Sequence, residues 1–171
     1  DWRGKPYTAQ ALPIYHWQGA SSESAQRLYE NGIYLDKNEL NVQSAITQGE
    51  LAQLLYRSRY PYAEVTDMDQ VYADLNRLGL ILQKEAAPNA AVTRQQAAQY
   101  AVRLLGYERL TAYGDLFVYP YQDKAESTYQ ASVAISGALG LLQADSANTI
   151  RPASDLTLGD AFDLVYKALS K

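Results

Sequence analysis

The chain has 171 residues, a net charge of −4, one His and no Cys. That length can enclose a full core, as one domain or as small repeats acting together. The acidic balance and the absence of any Lys/Arg cluster argue against a nucleic-acid partner, and without Cys neither a disulfide framework nor a thiolate metal site can form.

In chain order, the apolar spacing first predicts a helix over residues 24–32, carrying Ala25, Leu28 and Tyr29 and ending at Gly32-Ile33. After an extended stretch, Ile46-Thr47-Gln48-Gly49-Glu50 opens a second helix with Leu51, Leu54 and Leu55 on its apolar face. A helix predicted over 67–79 uses Val71, Leu75 and Leu78 and ends at Gly79-Leu80, and Val92-Thr93-Arg94-Gln95-Gln96 opens a fourth with Ala97, Ala101, Leu104 and Leu105. A fifth, over 125–140, carries Ala131, Ile135 and Ala138 and ends at Gly140-Leu141. Leu156-Thr157-Leu158-Gly159-Asp160 opens a sixth, with Phe162, Val165, Tyr166 and Leu169.

One pattern therefore occurs three times, with Gly-to-Thr distances of 15, 14 and 17 residues. Gly closes each first helix because it accepts positive φ without steric cost. Each Thr has Glu50, Gln96 or Asp160 three positions on, so its hydroxyl can accept an amide hydrogen bond while the partner reaches back. The first two are capping boxes and Asp160 a shorter variant. The expected architecture is mainly α: three helix-loop-helix hairpins, 1–60, 61–106 and 107–171, packed around one shared core because one hairpin is too small to enclose its own. The third Thr follows the second by 64 residues, where the second follows the first by 46, so the third unit begins with an insertion rich in aromatics: Tyr107, Tyr113, Phe117, Tyr119 and Tyr121. It is expected to pack between the second and third units or to form a docking edge.

The order of apolar-x-acidic, helix, Gly-apolar, loop with Pro (Pro88, Pro152), and apolar-Thr-Arg opening a second helix resembles the S-layer homology (SLH) family, over roughly residues 13 to 171. The opening element is Tyr62-Ala63-Glu64 in the second copy, Tyr121-Gln122-Asp123 in the third and Tyr15-His16-Trp17 in the first. The resemblance implies a pseudo-threefold bundle whose grooves bind a secondary polysaccharide of the bacterial cell wall, often pyruvylated, outside the cytoplasm. It also implies that the Arg of the Thr-Arg motif meets the acidic sugar, a role suited to a planar guanidinium that can bind carboxylate through two parallel hydrogen bonds. Residue by residue, the ligand set is then Arg94 with Thr93; Tyr62, Glu64, Trp17, Tyr121 and Asp123 from the opening elements; and Arg151 beside Pro152 lining the next groove.

Only the second copy keeps that Arg, since Gln48 and Leu158 stand in its place elsewhere. The alternative is a degenerate SLH-like scaffold or protein-interaction domain of a larger surface or membrane-anchored protein. No catalytic residue, metal site or cofactor is expected: His16 is the sole His, no phosphate loop, His-Glu-x-x-His or EF-hand spacing occurs, and Asp67 and Asp69 lie where a helix start would use them as caps. No run approaches transmembrane length, Asp1-Trp2-Arg3-Gly4 does not read as a signal peptide, and Ser170-Lys171 carries no stop signature. The chain is expected to be part of a longer protein.

Overall fold

A computed structural model describes residues 11–171. It is mainly helical, 48% of it in helices. The α-helices are α1 (Glu23–Glu30), α2 (Gln48–Arg59), α3 (Met68–Arg77), α4 (Arg94–Leu104), α5 (Gln130–Ala138) and α6 (Leu158–Leu169). Strand β1 (His16–Trp17) runs parallel to β2 (Glu39–Leu40). Short 3-10 turns lie at Gln83–Glu85, Glu108–Leu116 and Lys124–Glu126.

Local chemistry sets the boundaries. Thr47, Thr93 and Thr157 each accept the N–H three residues on, fixing the starts of α2, α4 and α6. Glu50 and Gln96 in turn accept the Thr N–H, at 3.1 and 2.9 Å. Asp160 does not complete such a box; its carboxylate goes to Arg94 instead. Asp67 caps α3 by accepting the N–H groups of Asp69 and Gln70. Gly32, Gly79 and Gly140 take φ of +80, +73 and +68°, letting the chain leave α1, α3 and α5 through the left-handed region. The fifth helix is shorter than the apolar spacing suggests, because a 3-10 turn and an extended Ser127 occupy residues 124–127.

The main helix contacts pair α2 with α3, α4 with α5, and α6 with α1, while α6 also meets α4 and α2. Each Thr-capped helix therefore packs on the first helix of the following segment, and the last packs on α1. Apolar spacing reveals that a helix has a buried face but not which helix covers it. Leu51, Leu54, Leu55, Ala97, Ala101, Phe162 and Val165 sit in one continuous core, each large side chain contributing about 1.5–3 kcal/mol on burial.

The caps themselves interlock. Antiparallel bridges join Ala45 to Thr157, Thr47 to Ala91, and Thr93 to Asp155. Ile46 N–H donates to the Leu156 carbonyl at 3.0 Å, Leu156 N–H to Val92 at 2.7 Å and Val92 N–H to Ile46 at 3.1 Å, so three backbone bonds close a ring. Ring members 46 and 156 are 110 residues apart in sequence. Their bond sets the three helix starts beside one another, and with them the direction in which the first residue of each helix points.

Candidate functional site

The residue after each Thr is buried, and Gln48 and Arg94 reach into the loop of the following segment. Gln48 donates Nε2 to the Glu85 carbonyl at 2.9 Å and to the Tyr100 hydroxyl at 3.0 Å, while its Oε1 accepts from the Tyr72 hydroxyl and the Ala87 N–H. Burial pushes the Tyr72 phenol up to about 12, so it stays a neutral donor to that amide. Leu158 fills its place with an apolar chain.

Arg94 is only 3% exposed, and its guanidinium is engaged on every side. Nε donates to the Ile150 carbonyl at 2.7 Å, Nη2 to the Gln143 carbonyl at 2.6 Å and Nη1 to Asp160 Oδ2 at 2.8 Å. The carboxylate expected from a ligand is supplied by the chain itself. Arg94 is therefore a joint between α4, the 143–151 loop and α6 rather than an open receptor, which corrects the sequence expectation. Thr93 is likewise spent: its hydroxyl accepts the Gln96 N–H, its own N–H donates to Gln96 Oε1 and its carbonyl accepts the Ala97 N–H.

Asp123 belongs to the same joint. It is buried and accepts the N–H groups of Ile150 and Arg151, at 3.2 and 2.7 Å, stabilising a loop in which Arg151 adopts φ +53°. Tyr121 packs its ring over Gly137 and edge-on against Tyr119. Trp17 stands with Tyr15 and Phe162 in an edge-on aromatic cluster at the core boundary. Tyr62 covers Gly32 at the end of α1, donating its N–H to the Gly32 carbonyl at 2.9 Å. Glu64 is exposed, without a hydrogen bond or ion pair among the described residues. Of the expected set, then, Arg94, Asp123 and Arg151 are linked through Ile150, and no hydrogen bond or ion pair among the described residues ties Trp17, Tyr62 or Glu64 to them.

Two further guanidiniums, Arg57 and Arg103, form joints that the sequence did not mark as sites. Arg57, fully buried, lies 4.0 Å over the Tyr34 ring, donates to the Tyr34 and Ala63 carbonyls and pairs with Asp36 at 2.8 Å. Arg103 holds Glu85 through two bonds of 2.7 and 2.9 Å. Both stand ten residues after a capping Thr, and that coincidence between aligned copies was the available signal.

An open groove of about 600 Å³ runs between the start of α1 and the start of α6. Ser21, Ser22, Gln43, Arg151, Asp160 and Asp163 are among its walls. Gly159 makes the narrow side possible: a Cβ there would meet the Val42 side chain at 3.1 Å, and its N–H donates to the Val42 carbonyl. Ser24 Oγ donates to Asp163 at 2.6 Å. The Arg151 side chain is 56% exposed, and its ion contact among the described residues is a long 4.0 Å approach to Asp145. That Asp is itself held below the usual carboxylate range by hydrogen bonds from Thr149.

Glu50, Asp74 and Glu85 are also held below the ordinary carboxylate range. Burial raises the carboxyl of Glu50, but hydrogen bonds from Lys37 and Thr47 outweigh it. An Arg hydrogen bond is the main cause at Asp74 and Glu85. No protein-family model matches the chain, and no curated protein matches it.

Proposed function

We propose that this protein is a non-catalytic, SLH-like module that binds an acidic secondary cell-wall polysaccharide and holds its parent protein at the bacterial surface. Three repeats in pseudo-threefold packing are part of the proposal, and the closed ring of backbone bonds through Ile46, Val92 and Leu156 supports it. The observation that carries the binding reading is the groove between α1 and α6, where an exposed Arg151, loosely paired with Asp145, overlooks hydroxyls and carboxylates. Hydroxyl-rich ligands need donors and acceptors interspersed, and the exposed Arg151 guanidinium, only loosely paired with Asp145, can meet a ligand carboxylate.

The experiment is a titration of the isotopically labelled protein with wall polymer released by mild acid. Saturable amide shifts at residues 21–24, 42–43, 151 and 157–163, reduced in Arg151→Gln, are expected. Shifts that leave these residues untouched would reject the groove.

A second reading has an observation of its own. Arg94 is neutralised internally by Asp160, as a module that kept the fold and gave up the sugar would allow. It predicts that the polymer produces no saturable shift anywhere.

A further inference from the structure

The insertion forms a second cleft, separate from the groove above. Its 3-10 turn, Glu108–Leu116, rests on α5, with Gly114 so close to Ala131 that a Cβ would meet the Ala131 methyl at 3.2 Å. Between the turn's exit and α5 lies a cavity of about 380 Å³, within the usual size of ligand sites. Phe117, Tyr119, Ala131 and Ala134 provide apolar wall, and Asp115 and Lys124 bring charges of opposite sign. Neither charge has an ion partner among the described residues.

The backbone beside the cleft is unpaired. Phe117 leaves the turn in an extended conformation, φ −105°, ψ 132°. No hydrogen bond among the described residues uses the N–H of Val118 or Tyr119, or the carbonyls of Phe117, Val118 and Tyr119. Exposure alternates here: Phe117 and Tyr119 are half-buried beside the cavity, whereas Leu116 and Val118 are 79% and 83% exposed. An extended edge with free N–H and C=O groups is a template for another strand, and alternate side chains of such a strand would enter the cavity.

The geometry points to this edge as a docking site for an extended peptide segment of a partner protein, with an apolar residue seated against Phe117 and Tyr119 and flanking residues of both charges meeting Asp115 and Lys124. The opposed charges favour a peptide bearing a base and an acid over a purely anionic ligand. The site goes beyond the wall-binding reading and shares no residue with that groove.

The test uses acetyl-Lys-Val-Phe-Val-Asp-amide as probe against the labelled protein. Saturable shifts at residues 114–119, 124 and 128–134 are expected, with affinity at least tenfold weaker in Val118→Pro, which removes one donor from the edge. Val118→Thr should bind like the parent, and the double charge reversal Asp115→Lys/Lys124→Glu should weaken binding several-fold with an unchanged melting curve. Absence of saturation, equal binding by Val118→Pro with its fold intact, or shifts at these residues with an N-acetylglucosamine oligomer in place of the peptide would overturn the assignment.

Discussion

Arg94 and Asp160 are 66 residues apart in sequence and 2.8 Å apart in space, so the first residue of α4 is tied to the third residue of α6. A long-range pair of this kind makes Arg94 a stability residue. Asp160 is half-exposed and can rehydrate, but the Ile150 and Gln143 carbonyls lose their donors if Arg94 is removed. Arg94→Ala is expected to lower unfolding free energy by about 2–4 kcal/mol, and Asp160→Asn by only about 1 kcal/mol. Denaturant unfolding of the two variants checks the order; an Arg94→Ala protein as stable as the parent would contradict it.

Gly32 and Gly79 separate backbone strain from crowding. Both sit at positive φ, but a Cβ on Gly32 would lie 2.6 Å from the Tyr62 ring and 2.9 Å from its backbone nitrogen, whereas one on Gly79 meets nothing within 4 Å. Gly79→Ala should cost about 1 kcal/mol. Gly32→Ala should cost about 1–3 kcal/mol more, because Tyr62 and its chain must move. Thermal melts of the pair give the difference directly.

Glu85 should carry part of the acid sensitivity, alongside the other carboxyls held low, Glu50, Asp74 and Asp145. Hydrogen bonds from Arg103 hold its carboxyl below the usual value, so the folded state binds fewer protons than the unfolded chain. The resulting stabilisation is fully present above the unfolded value, about 4.3, and is lost as pH falls through the folded one. Glu85→Gln is expected to be less stable than the parent at neutral pH and to show a flatter acid limb. Unfolding free energies measured from neutrality down to about pH 3 decide this; parallel limbs would rule out a contribution from Glu85.

The caps provide an internal control. Thr47→Ala and Thr93→Ala each remove one side of a reciprocal box and should cost about 1–2 kcal/mol. Thr157→Ala should fall at the lower end, since Asp160 serves Arg94 rather than the Thr157 N–H. Chemical denaturation of the three variants ranks them.

The contrast between caps and joints explains what the sequence could tell. Capping is local: Thr47 and Glu50, or Gly32 after Leu28 and Tyr29, interact within a few residues, so spacing alone locates the helix starts and stops. The partners of α1, the fate of Arg94 and the groove beneath Arg151 depend on contacts across tens of residues, and a single sequence holds no local mark for them. Arg94 reads as a free cation at a helix start, against the helix dipole, until the Gln143 and Ile150 carbonyls are seen beside it. Arg57 and Arg103 are hidden for the same reason: their helices read as apolar faces interrupted by a base, and only folding reveals the carbonyls and carboxylates that receive it.

Wall binding through the Arg151 groove is the central claim, and co-sedimentation of the protein with purified bacterial sacculi tests it most directly. Retention by intact sacculi that is lost after acid extraction of the secondary polymer, and lost in Arg151→Gln at unchanged thermal stability, is the expected result. Failure of the parent protein to sediment, or equal retention of Arg151→Gln, would contradict the claim.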